Sequence, residues 1–128
     1  MNNYLSELDD ILPDNVEEYH QDLATKRACE KTIELAIEEV IAIISLIVNH
    51  QKLGLPHSED DLIDLLDRKK IITSSLVLKI KEMKGFRNIL VHRYGDIDDS
   101  RTFNSITAER DDFALFEREI KKYLHQVP

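Results

Sequence analysis

The sequence predicts an all-α fold: an up-and-down helical bundle of about five helices, built as one domain over residues 1–128. Three observations predict it. Apolar residues recur at steps of three and four through most of the chain. Only three Gly and three Pro occur in 128 residues, too few for the frequent turns of a sandwich or barrel. Hydrophobic residues at 42% and charged residues at 33% suit a globular domain with a real core.

The elements follow in order. Tyr4, Leu8, Ile11 and Leu12 mark a short first helix, which Pro13 interrupts. Asp14 is placed to cap a second stretch with Val16, Tyr19 and Leu23 on one side. Thr25 to about Leu53 reads as the long central helix, with Ile33, Ile37, Val40, Ile41, Ile44, Ile47 and Val48 as its stripe. Gly54-Leu55-Pro56 ends it. Ser58, with Asp61 three residues on, has the spacing of a capping box, Asp replacing the preferred Glu. A short helix with Leu62, Leu65 and Leu66 follows. Thr73 or Ser74 caps the next, whose apolar positions are Leu76, Val77, Ile80, Met83, Phe86, Ile89 and Leu90. Gly95 and the acidic turn Asp96-Ile97-Asp98-Asp99 stop it. The last helix runs from about Ser100 to His125, with Phe103, Ile106, Phe113, Phe116, Ile120 and Leu124 on its apolar side.

Leu35, Ala42, Ile43 and Leu46 fall largely outside the central stripe. The second half of that helix is therefore apolar on more than one side, and must be covered on more than one side. A second copy of the chain is the simplest cover, so a homodimer is expected. The short N-terminal helices are the alternative cover.

Several classes are excluded. The single Cys29 permits no internal disulfide and no cysteine zinc site within one chain, and reads as a small core residue. The five histidines are scattered. Asp96, Asp98 and Asp99 alternate as in a calcium loop, but no Gly and distal Glu complete it. There is neither a glycine-rich phosphate loop nor a serine or cysteine nucleophile context. No metal or other cofactor is expected. The N-terminus lacks the basic-then-apolar order of a signal peptide. The most apolar stretch, Val40 to Val48, is too short to span a bilayer. A cytoplasmic location without membrane association is expected.

The net charge of −8 disfavours generic nucleic-acid binding, but the charge is unevenly spread. Between Arg68 and Arg93 stand eight Lys or Arg residues and one acid, Glu82, a segment of +7 in a chain whose remainder carries −15. Such a strip holds a polyanion locally. It serves equally well as a solvated helix face that neutralises acidic neighbours.

Inside this strip lies Arg87-Asn88-Ile89-Leu90-Val91-His92, with Tyr94 two positions on. At ~100° per residue, Arg87 and Tyr94 are almost in line, and Asn88 and His92 are in line one turn apart. Met83, Phe86, Ile89 and Leu90 take the opposite side, giving a polar working face and a buried one. Arg87 offers a planar, permanently charged fork suited to phosphate. His92 suits proton transfer, since a free imidazole titrates at roughly 6.5. Together they are equipped to cleave RNA without metal. His92 would take the proton of a ribose 2′-hydroxyl, and Arg87 would stabilise charge developing on the phosphate. Asn88 would orient the ring or bind a base or sugar, while Lys84 and Lys81 guide the backbone in. The same spacing also fits a purely structural arrangement. In it Arg87 pairs with an acidic neighbour, Tyr94 is half-buried, and His92 is favoured by the helix C-terminal dipole.

Lys84-Gly85-Phe86-Arg87-Asn88-Ile89-Leu90-Val91-His92-Arg93-Tyr94 resembles the signature of HEPN-domain proteins, specifically the HepT-like toxins of HEPN/minimal-nucleotidyltransferase systems. That motif is Arg, four residues, His, one residue, Tyr, usually with Asn after the Arg. The run from Thr25 to Thr32, continuing into Ile37-Glu38-Glu39-Val40-Ile41, is similar to the family's long dimer-forming helix. The resemblance covers most of the chain. It implies a single HEPN-like helical domain that dimerises, with the two motifs facing each other across the interface. It implies a metal-independent endoribonuclease, the toxin of a type II toxin–antitoxin pair, with Arg87 and His92 as the catalytic pair and Asn88 as the polar residue beside it. Tyr94 matches the tyrosine that a cognate nucleotidyltransferase antitoxin modifies with AMP. An added phosphate there would pair with Arg87, and the adenosine would block the cleft. The alternative is a different class: a non-catalytic helical interaction module that binds a nucleotide or a nucleotidyltransferase partner, which the acidic body favours.

Overall fold

The computed structural model describes residues 2–92 and 98–126. The described residues form six helices: α1 (Asn2–Ile11), α2 (Val16–Gln21), α3 (Leu23–His50), α4 (Glu59–Arg68), α5 (Ser74–His92) and α6 (Asp99–Gln126). No strand occurs among the described residues. None of these helices is long and apolar enough to cross a membrane.

Side-chain caps set most helix starts. Asn15, rather than Asp14, caps α2, accepting from the Glu18 N–H at 2.9 Å. Asp22 caps α3, accepting from the Thr25 N–H at 3.3 Å and the Thr25 hydroxyl at 2.9 Å, so that helix begins two residues before Thr25. Ser58 caps α4 as expected, accepting from the Asp61 N–H at 3.1 Å. Asp61 reaches back to the His57 N–H at 2.9 Å, which closes a box one residue earlier than usual. Thr73 caps α5, and Asp98 accepts from the Ser100 and Arg101 N–H groups to start α6.

Two helices end in the same way. After α3, Leu53 N–H donates to Val48 C=O and Lys52 N–H to Asn49 C=O; after α4, Ile71 donates to Leu66 and Lys70 to Asp67. Both are Schellman closures. The left-handed position, usually glycine, is held by Lys52 (φ 53°) and Lys70 (φ 57°). α3 therefore stops at His50, before the expected Leu53 and Gly54. Gly54 has its own reason: its φ is 154°, and a Cβ there would lie 2.9 Å from a Leu65 methyl.

α3 is the axis of the core. It buries Cys29, Ile33, Ala36, Ile37, Val40, Ile41, Ile44, Ile47 and Val48. α6 runs in the same direction: Asp99 meets Lys26 near both starts, and Tyr123 and Leu124 share a small cavity with Leu46 and Ile47 near both ends. α1 is antiparallel to α6, as the contacts Asn2–Glu117 and Arg110–Asp9 require. So is α5, through Thr73–Glu119 and Lys79–Asp112. α4 packs on α3 and α5 and sinks Leu62, Ile63, Leu65 and Leu66.

The extra apolar face of α3 is divided. α1 packs against α3, and Leu35 and Ile43 are half-buried, but Ala42 is exposed and Leu46 is 68% exposed. Leu23 and Leu124, expected on apolar sides, are exposed because they stand in the first and last turns of their helices.

Candidate functional site on α5

α5 is positioned by the apolar side it buries: Leu76, Val77, Ile80, Met83 and Leu90. On the flank toward α4, Lys81, Lys84 and Arg87 follow one another at steps of three. α4, lying antiparallel, presents an acid to each. Lys81 pairs with Asp64 at 2.8 Å, Lys84 with Asp60 at 2.8 Å, and Arg87 with Glu59. On the other flank Lys79 pairs with Asp112 of α6 at 3.1 Å. Every described cation of α5 is thus ion-paired. The hydrogen bond from Lys84 holds the Asp60 carboxyl below its ordinary range, and the bond to Asp64 lifts the Lys81 ammonium. The basic strip is real, and it is also the neutralised face that the charge pattern allowed.

The Arg87 side chain is only 11% exposed, so its guanidinium is held rather than free in solvent. Its Nε donates to Asn88 Oδ1 at 3.0 Å, and a terminal nitrogen donates to Glu59. Asn88 therefore orients the arginine. This contact was not expected from the sequence, and it engages only the amide oxygen of Asn88. His92 is the last residue of α5 and is exposed. It lies five residues from Arg87, about 140° round the helix and about 7.5 Å along it.

Tyr94 lies outside the described residues, as do Gly95 and Asp96. The buried back expected for this end of the helix is also revised. Leu90 is buried and Phe86 half-buried, but Ile89 is 49% exposed; Val91, on the polar side of the wheel, is 46% exposed.

Sequence reasoning did not identify Glu59, Asp60 and Asp64 as partners. A signal was present. Asp60 and Asp64 stand four apart on a short helix whose apolar side is Leu62, Ile63, Leu65 and Leu66, the acidic counterpart of Lys81 and Lys84 three apart on α5. Asp99 was expected only as part of an acidic turn. It takes a contact from His20 Nδ1 at 2.5 Å and an ion pair from Lys26 at 3.0 Å. Burial works against its charge, but these two hydrogen bonds prevail and keep the carboxyl below its ordinary range. α6 is thereby fixed to α2 and α3 where it begins. Among the described residues, no three His, Cys, Asp or Glu side chains are grouped so as to hold a metal ion.

Residues 1–120 match the family described as Ribonuclease HepT-like. A tRNA nuclease HepT of Aphanizomenon flos-aquae is 30% identical over 113 residues, 88% of this chain and 74% of that protein. An mRNA nuclease HepT of Shewanella oneidensis is 30% identical over 104 residues, 81% of this chain and 78% of that protein. Among solved structures, the tri-AMPylated Shewanella oneidensis HEPN toxin in complex with MNT antitoxin superposes with a TM-score of 0.87. It has 26% identity and covers 94% of this chain and 90% of its own.

Proposed function

The chain belongs to the ribonuclease HepT-like family, and on that premise we propose that it is the toxin of a toxin–antitoxin pair. In this reading it is one HEPN-like domain acting in the cytoplasm. It cleaves RNA at a site assembled from two copies and is silenced by AMP on Tyr94. The observation that carries the reading is the end of α5: an arginine fork held in place by its neighbour Asn88, on a helix whose last residue is an exposed histidine.

The chemistry follows from those groups. His92 accepts the proton of a ribose 2′-hydroxyl. The 2′-oxygen attacks the adjacent phosphorus and the bond to the 5′-oxygen breaks, leaving a cyclic phosphate and a 5′-hydroxyl. The proton that the leaving oxygen needs comes from the second copy's imidazole in its protonated form. Arg87 has two N–H groups engaged by Asn88 and Glu59, and its remaining donors suit charge building on the phosphate. The separation of Arg87 and His92 around α5, about 140° on an ideal helix, supports a two-chain site, because a facing copy would bring a second arginine and a second histidine to the same phosphate. Exposed Ala42 and Leu46 on α3, and Leu78, Ile89 and Val91 on α5, support a second copy as cover. Gly85 agrees: an added Cβ there would meet nothing within 4 Å. The nucleotidyltransferase antitoxin and AMP on Tyr94 rest on the motif and on what the Shewanella toxin is bound to and carries.

The test is cleavage of RNA in chelator by protein whose intact mass shows no added AMP. His92→Ala and Arg87→Ala should each lower the rate by about 100-fold or more while the folded state persists. Undiminished cleavage by either variant removes that residue from the catalytic pair. A non-catalytic module has one observation in its favour, the ion-pairing of every described α5 cation. It requires nucleotide or nucleotidyltransferase binding with no cleavage by the same unmodified sample.

A further inference from the structure

Lys81 and Lys84, the two lysines best placed to lead an RNA backbone toward Arg87, are already occupied. Asp64 and Asp60 hold them at 2.8 Å, with Glu59 on Arg87 completing a three-rung row. The carboxylates are open to solvent, 51% for Asp60 and 41% for Asp64, so each contact is readily exchanged. The helix that carries them is not. α4 is anchored by four buried side chains, Leu62, Ile63, Leu65 and Leu66. An incoming polyanion can take the lysines, but it cannot move the competing carboxylates away.

We infer that Asp60 and Asp64 are specificity-determining residues that stand in for RNA phosphates, setting the affinity and salt response of substrate binding on α5. This rests on the ribonuclease reading above. A phosphate that binds Lys84 leaves Asp60 bare, and the same holds for Lys81 and Asp64. Each uncovered carboxylate draws a cation back, which offsets the counterion release that normally drives nucleic-acid binding. RNA is retained only where several phosphates meet the row together, and isolated contacts are rejected.

The experiment compares Asp60→Asn/Asp64→Asn with Glu17→Gln/Glu18→Gln. The latter removes the same charge from exposed positions on α2. Two probes are used. Retention on heparin reads the availability of the strip to any sulfated or phosphorylated polymer. Binding of an oligouridylate by His92→Ala protein, across a salt series, reads RNA directly. The α4 variant should elute from heparin at higher salt and bind the RNA at least about fivefold more tightly at low salt. Its slope of log affinity against log salt should steepen by about 0.7 for each lysine released. Single Asn variants should give intermediate gains, and adding Lys81→Gln/Lys84→Gln should abolish them. Equal gains from the α2 variant, or no gain from either, overturns the inference, for the row is then only structural. A heparin gain without RNA binding by any variant leaves the masking intact and overturns the ribonuclease reading instead.

Discussion

Glu109 is the most costly side chain in the core of α6. It is 7% exposed, its Oε2 makes no hydrogen bond among the described residues, and Asp112 and Glu82 are its charged neighbours. Burial first, and those two carboxylates second, push its pKa up from 4.5 to about 8. The folded state therefore holds a proton that the unfolded chain releases above 4.5. Stability from this group is full below that value, declines as pH rises through the interval, and is lost above about 8. Glu109→Gln should be nearly neutral at pH 5 and stabilising by about 3 kcal/mol at pH 8, read from denaturant unfolding at both values. Identical stability differences at the two pH values would show that Glu109 stays charged. The position was half legible. Thr102, Ile106, Glu109, Phe113, Phe116 and Ile120 keep the three-and-four spacing without a break. Only the apolar members were expected inside, because polarity masked the period. At the site, Arg87 and Asn88 were singled out on one helix, though the hydrogen bond between them was not. Glu59 was not, because pairing between two helices depends on their packed register.

At the scale of elements, periodicity found the helices and misplaced several of their ends. Pro13 and Ser58 act as expected because each works on its immediate neighbours. The closures after α3 and α4 do not, because a lysine holds the left-handed position in both. Local preference puts glycine there. The structure accepts Lys52 and Lys70 because the next residues, Leu53 and Ile71, tuck back against the core. The strain should be measurable. Lys70→Gly should raise stability by about 0.5–1 kcal/mol, as should Lys52→Gly, seen as a higher urea midpoint at unchanged slope. A lowered midpoint would mean that the lysine side chain contributes more than its backbone loses. Gly54 allows no such freedom, with its positive φ and Leu65 in the way.

For the whole molecule, the bundle leaves apolar surface on α3 and α5 that one copy does not cover. Leu46, Leu78, Ile89 and Val91 are each at least 46% exposed. The proposed homodimer accounts for that surface, and sedimentation at micromolar concentration should find two copies. Leu78→Glu, which removes no core contact, should shift the population toward one copy by about tenfold or more in dissociation constant. A monomeric parent protein would remove the basis for a shared site. The all-α class and the surplus face of α3 were legible, because hydrophobic period reports burial directly; about five helices were expected, and the described residues form six. Which part α1 covers was not, because the period does not name the partner.

The facing rows of α4 and α5 have one more consequence. An ion pair is indifferent to which partner is the acid. With lysines on α4 and carboxylates on α5, the two helices would hold each other almost as well, apart from a few tenths of a kcal/mol lost at the N-terminus of α4. Folding thus leaves the polarity of the ladder undecided. The orientation it has, positive on the helix that ends in His92, separates what this chain needs in order to fold from what the proposed ribonuclease site would need in order to meet a phosphate.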